Sequence, residues 1–215
     1  MNNNKRNNIF FNIVLIIALI IILIGVDLII KGNNIQKERV NILEKRIIIE
    51  NNQLLTINNP QNLNLKRVMF LKNYINEINP NLINAEDIAE NILKACNDND
   101  LDWITIVALI QIESTFNPNA KSYKGARGLG QIKYRFWKKY IPSKKQNDPK
   151  ILYDPYVNTT VIGHILKELY SKFDCEQSVF NYYSGGASRY YLKLNENRYV
   201  IQKKYNQFIK EEKKI

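Results

Sequence analysis

Apolar positions change character along the chain. Residues 9–30 (IFFNIVLIIALIIILIGVDLII) are apolar almost throughout, with one acid, Asp27, near the far end. About 20 such residues span a bilayer as a helix, whereas the apolar part of a cleaved leader runs to only about 7–15 and ends at a small-x-small site. No such site is present, so residues 9–30 read as an uncleaved transmembrane anchor preceded by a short N-terminus, residues 1–8. Lys5 and Arg6 precede the span and Lys31, Lys37 and Arg39 come after it, so flanking charge leaves its orientation open. Residues 31–62 are polar and Asn-rich, with scattered Ile35, Ile42, Leu43, Ile47 and Ile49. That repeat is too short for a coiled coil and reads as a stalk, separated by Pro60 from the remainder of the chain.

Helical spacing dominates from there, so residues 63–215 read as the folded domain. Leu65, Val68, Met69, Lys72 and Ile75 succeed one another at helical intervals, and Pro80 stops that helix. Asn84 is placed to cap the next, with Glu86 and Asp87 in its first turn and Ile88, Ile92, Leu93 and Cys96 as its apolar stripe. Asp102 caps a very apolar helix, WITIVALIQIES, which ends before Asn117-Pro118. Residues 161–172, 177–182 and 198–213 also read as helices. There is no run of alternating strands and no internal repeat. The fold class is therefore all-α with at most a small β hairpin, behind an N-terminal transmembrane helix.

Composition adds two limits. Lys and Arg number 31 against 20 Asp and Glu, a net charge of +11. This charge suits a polyanionic partner: nucleic acid, anionic lipid head groups or an acidic cell wall. No Lys/Arg block has the length of a nucleic-acid-binding arm. With two cysteines, Cys96 and Cys175, and one histidine, His164, a Cys/His metal site is not expected. In an oxidising compartment a Cys96–Cys175 disulfide is open to the chain, although the helical stripe around Cys96 favours a buried free thiol.

Glu113 is the candidate for chemistry. It stands near the end of the most apolar helix, beside Ile110, Ile112 and Phe116. A carboxyl near apolar surface resists ionisation, and a raised pKa is what a general acid needs at neutral pH. For an arbitrary glutamate, exposure on a polar helix face is the simpler reading. The loop after the helix changes this. The run ESTFNPNAKSYKGARGLGQI, residues 113–132, holds Gly125, Gly128 and Gly130 close together, which marks an unusual backbone or close approach by another group. Pro118 and the asparagines make an ordered loop. A phosphate-binding loop is the rival reading, but no strand precedes the glycines and no Gly-Lys-Ser/Thr comes after them.

The run resembles the core of the soluble-lytic-transglycosylase-like domain family, related to goose-type lysozyme. That family's pattern is Glu-Ser and then F-N-P-x-A-x-S-x-x-G-A-x-G-L-M-Q. Glu113, Ser114, Phe116, Asn117, Pro118, Ala120, Ser122, Gly125, Ala126, Gly128, Leu129 and Gln131 fit it. Asp154-Pro155, Asn158 and Gly163 resemble its D-P-x-x-N-I-x-x-G region. Tyr182-Tyr183-Ser184-Gly185 stands in the place of Y-N-A-G, and Glu196 with Tyr199-Val200 is similar to its last helix. The resemblance runs over residues 84–205 and leaves out anchor and stalk. Two departures stand out: Gly130 replaces the family's Met, and Tyr183 its Asn.

The resemblance implies an enzyme that cuts peptidoglycan glycan strands with one glutamate and no cofactor or metal. Glu113 would protonate the oxygen between N-acetylmuramic acid and N-acetylglucosamine, then take the proton of the muramoyl 6-hydroxyl as that group closes on C1. The acids nearest downstream are Asp148 and Asp154, and Asp154, ahead of Pro155, reads as a helix-start residue. Ser114, Gly128, Gln131, Tyr182 and Tyr183 are the implied substrate-binding residues. Ser114 contacts substrate or caps its helix, Gln131 bonds sugar or supports the loop, and Tyr182 donates a hydrogen bond to Glu113 or packs in the core. Tyr183, Tyr190 and Tyr191 are candidates for stacking on sugar rings, and His164 is expected to pack on its helix. Such an enzyme would sit in a bacterial inner membrane as a single-pass protein, residues 1–8 in the cytoplasm and the domain in the periplasm, with secretion or other envelope machinery as a further partner. A lysozyme-like hydrolase and a wall-binding assembly component without turnover are the alternatives. Nucleic-acid binding rests on charge alone and is not expected.

Overall fold

The computed structural model describes residues 36–37, 40, 43–46 and 59–212, apart from 144–145. The chain divides into two compact units, Met1–Asn59 and Pro60–Ile215. In the first, residues 36–37, 40 and 43–46 are helical and exposed. The anchor expected at residues 9–30 and most of the stalk lie outside the described residues. Among those described, no helix is long and apolar enough to cross a membrane.

The second unit opens three residues earlier than Leu63, with helix α1 (Pro60–Ile78). Proline at a first helical position sacrifices no hydrogen bond. Helix α2 (Ala85–Asn99) comes after the Pro80 turn. Asn84 holds the position ahead of it, but its side chain makes no capping bond, which corrects the expected cap. The stripe is as expected: Ile88 and Ile92 are fully buried, and Leu93 and Cys96 nearly so. Helix α3 (Trp103–Ser114) is capped by Asp102, which accepts from the Thr105 amide at 2.9 Å and from the Thr105 hydroxyl at 2.6 Å. From Ile106 to Ile110 α3 is wholly buried, so it is the core helix around which the unit forms.

After α3 the chain makes one short hairpin. Strands β1 (Ala126–Arg127) and β2 (Ile132–Lys133) pair antiparallel, Ala126 opposite Lys133 and Arg127 opposite Ile132. Helix α4 (Tyr134–Trp137) and two 3₁₀ turns, Lys138–Tyr140 and Pro149–Tyr153, lead into α5 (Pro155–Lys172). Asp154 caps α5 through the Val157 amide at 3.1 Å, with Pro155 opening the helix. Helix α6 (Glu176–Tyr183) and the long α7 (Tyr190–Glu212) complete the unit. Helix α7 begins at Tyr190 rather than Arg198. Its entry is fixed by burial of Tyr190, Leu194 and Ile201 on one face, a stripe interrupted in sequence by Asn195-Glu196-Asn197.

Helix α1 packs on α2, α2 on α5, and α3 on α7. Aromatic rings tie the first and last helices to the core: Phe70 of α1 and Trp103 of α3 each meet Tyr205 of α7 edge-on, at 5.2 and 5.0 Å between centroids. Such pairs contribute about 0.5–1.5 kcal/mol each beyond the area they bury. The cysteines are not bridged. Cys96 is buried in α2, where burial pushes its thiol up to about 12, and Cys175 is exposed ahead of α6. His164 stacks on Tyr140 at 5.4 Å. The domain is all-α apart from the hairpin.

Candidate active site

Glu113 lies on the last turn of α3. Immediately beyond it the backbone turns through Thr115 (φ 50°) and Phe116 (φ 60°), two successive non-glycine residues in the left-handed region. That conformation costs on the order of 1 kcal/mol per residue and must be held by its surroundings. Here the holding force is Phe116, which is fully buried and packs edge-on against Tyr74 at 6.3 Å. The turn sends Phe116 into the core and leaves Glu113 half-buried at the rim. Asn117 then stabilises the descending loop, its side chain accepting from the Asn119 amide at 2.9 Å.

One partner orients the carboxyl. The Tyr190 hydroxyl, carried in by the first residue of α7, donates to Glu113 Oε1 at 2.7 Å. Burial pushes the Glu113 carboxyl up to about 7, against the lowering effects of the Tyr190 hydrogen bond and the Lys133 charge. Tyr190 is itself raised far above its ordinary value, by burial and by the neighbouring Glu113 charge, so it stays a protonated donor. A carboxyl poised near neutrality, with one oxygen held in place, can give a proton and then take one. The acids nearest downstream are engaged elsewhere: Asp148 caps the Pro149–Tyr153 turn through the Lys150 amide, and Asp154 caps α5.

The glycine loop is built against α5. Gly128 (φ 73°) has no space for a side chain, since a Cβ would lie 2.1 Å from the Leu152 carbonyl oxygen and 2.2 Å from Asn158 Nδ2. Asn158, fully buried, ties three stretches of backbone together. Its Oδ1 accepts from the Gly130 amide at 2.9 Å, and its Nδ2 donates to the Arg127 carbonyl at 3.1 Å and the Leu152 carbonyl at 2.7 Å. Gln131 (φ 48°) donates through Nε2 to the carbonyls of Ala120 and Gly128. These bonds hold the Gly128–Gln131 turn rigid beside the end of α3.

A cavity of about 640 Å³ opens alongside, between the hairpin and α4, α5, α6 and the Gly185-Gly186 turn, with Gln131, Lys133, Trp137, Glu168, Tyr182 and Tyr183 among its walls. Glu113 itself is not a wall residue. Its link to the cavity is through Lys133, whose charge acts on it, and Tyr183, whose hydroxyl feels the Glu113 charge. Aromatic faces beside cations and hydrogen-bonding groups are surfaces suited to sugar rings and to acidic substituents.

The residues singled out from sequence are thus partly gathered. Gln131, Tyr182 and Tyr183 line the cavity. The Ser114 hydroxyl bonds back to the Ile110 carbonyl of its own helix at 3.3 Å. Gly128 faces Leu152 and Asn158 rather than the cavity. Tyr182 does not reach Glu113. It is 51% exposed, its ring lies against Phe173 at 5.5 Å, and Lys172 Nζ sits 5.1 Å from the ring centre. Adjacent helical residues point about 100° apart, so with Tyr183 turned to the hairpin Tyr182 turns outward, and the donor to Glu113 is Tyr190. Tyr191 belongs to the scaffold, its hydroxyl on Glu176 at 2.8 Å. Lys133 and Trp137 were not among the expected site residues, because the family pattern stops at Gln131 and neither residue type is by itself a mark of a site.

Comparison with known proteins covers the same region. The family model described as the transglycosylase SLT domain matches residues 90–206, more than half of the chain and a span that includes Glu113, the glycine turn, the cavity walls and Tyr190. No curated protein and no solved structure matches the chain. The chain belongs to the transglycosylase SLT domain family, and with it to the lytic-transglycosylase and lysozyme-like proteins that cleave peptidoglycan glycan strands.

Proposed function

We propose that the protein is a lytic transglycosylase that cuts the β-1,4 bond between N-acetylmuramic acid and N-acetylglucosamine and leaves a 1,6-anhydromuramoyl end. Glu113 protonates the glycosidic oxygen as the C1–O bond breaks. The same carboxylate then receives the proton of the muramoyl 6-hydroxyl as its oxygen bonds to C1, so no water is consumed and the acid is regenerated. The observation that carries this reading is the Glu113 carboxyl, raised to about 7 by burial and held by Tyr190. Two-carboxylate hydrolysis requires a second acid about 5–10 Å away; Asp148 and Asp154 serve as caps, and Glu168 on the cavity wall is paired with Lys139 and the Tyr140 hydroxyl. Gln131, Tyr182 and Tyr183 contact the glycan from the cavity walls, while Ser114 and Gly128 shape the backbone around the acid. Residues 9–30 anchor the chain in an inner membrane, residues 1–8 face the cytoplasm, residues 31–59 form the stalk, and the domain meets the wall in the periplasm.

Digestion of purified sacculi, with mass spectrometry of the soluble products, tests this. Wild-type protein is expected to release 1,6-anhydromuropeptides, and E113Q to lower the rate by about a hundredfold or more. Products with reducing muramoyl ends establish a hydrolase instead. Binding to sacculi with no soluble product from wild type establishes a wall-binding component of an assembly.

A further inference from the structure

Both polar backbone groups of Gly130, in the hairpin turn, are taken by side chains from two helices. Its amide donates to Asn158 of α5, and its carbonyl accepts the Tyr183 hydroxyl of α6 at 2.9 Å. The residue also has no room to grow. A Cβ would lie 2.6 Å from Cγ1 and Cδ1 of Ile162 and 2.8 Å from the Tyr183 hydroxyl oxygen. Gly130 is not among the positive-φ residues, so space rather than backbone conformation is the constraint. Both are positions at which the chain departs from the family pattern, and these two departures meet in space: the hydroxyl of the larger residue at 183 stands against the position left bare at 130.

Tyr183 has a second face. It is a wall of the cavity, and its hydroxyl is raised well above its ordinary value by burial and by the Glu113 charge. The groups that bear on Glu113 are Tyr190 from α7, Lys133 from β2 and Tyr183 from α6.

We infer that Gly130 and Tyr183 form an interlocked pair, in which Tyr183 is a positioning residue that fixes the Gln131–Lys133 wall of the cavity against α6 and so sets the spacing around Glu113. The inference rests on Glu113 being the proton-transfer group. A methyl group at 130 pushes the hydroxyl away, and phenylalanine at 183 releases the carbonyl. Either change loosens the hairpin wall relative to the acid, and small displacements of positioning groups lower the rate steeply.

Full-length wild type, G130A, Y183F and the double variant in detergent are to be compared by thermal unfolding and by kinetics on soluble glycan fragments. Each single variant is expected to lower kcat about tenfold, with KM changed less than about threefold. The double variant is expected to lose less melting temperature than the two singles together, by about 3 °C or more. An additive unfolding cycle, or a Y183F enzyme with unchanged kcat, overturns the inference. A wild-type chain that cleaves no glycan defeats the assignment of Glu113, and the unfolding cycle then decides the pairing by itself.

Discussion

Glu113 is under two opposing demands, since the burial that makes it a usable acid works against the folded state once the carboxyl ionises. Its pKa is about 7 in the fold and 4.5 in the unfolded chain. A raised folded pKa favours folding fully below 4.5, and that advantage disappears as pH rises to 7. Each unit is about 1.4 kcal/mol, so the penalty above pH 7 is at most on the order of 3 kcal/mol. E113Q should therefore melt higher than wild type at pH 8 and equally at pH 4, as scanning calorimetry at the two pH values will show. Removing the Tyr190 hydroxyl takes away a bond that lowers the Glu113 pKa, so Y190F should move the alkaline limb of kcat/KM to higher pH. Gly128 answers to sterics: G128A meets backbone at 2.1 Å and is expected to destabilise by about 3 kcal/mol, read from a denaturant midpoint. At this scale legibility depended on sequence distance. Glu113 could be read because its glycine loop lies within a few turns of chain. Tyr190 was a candidate for stacking on sugar, but its role as donor could not be read, because 77 residues separate it from the carboxyl it serves, and Tyr182 was the nearer tyrosine in a familiar motif.

Elements were legible where a side chain announces their ends. Asp102 and Asp154 each precede a helix and each caps it. Asn84 occupies the same kind of position without a capping bond. D102A should accordingly destabilise by about 1–2 kcal/mol and N84A by less than about 0.5 kcal/mol, a contrast that urea unfolding of the two variants will resolve. The first two turns of α7 were missed because nothing local marks their start. Tyr190 and Leu194 are helical because they pack against the rest of the domain, and Asn195-Glu196-Asn197 reads as a break when propensity is considered alone. The hairpin, two residues a side, is set by the Gly128–Gln131 turn and its bonds to Asn158 rather than by any strand pattern.

Over the whole molecule, the family match and the folding unit do not coincide. The match begins at residue 90, but α1 supplies Phe70, Leu71, Tyr74 and Ile75 to the core. A fragment of residues 60–215 should unfold cooperatively and cleave soluble glycan at a rate near that of the full chain. One of residues 85–215 should lose its cooperative transition, since Trp103 and Phe116 would be left uncovered. Circular dichroism melts of both fragments test this. The hydroxyl that holds Glu113 has a consequence in time as well as in space. Synthesis delivers α3, the glycine turn and the cavity walls before it delivers α7, and helices dock only once they have emerged. A ribosome that has released everything through Gly186 has made the blade without its catch. The Glu113 carboxyl is thereby left without the hydroxyl that orients it until the first turn of α7 has emerged and docked.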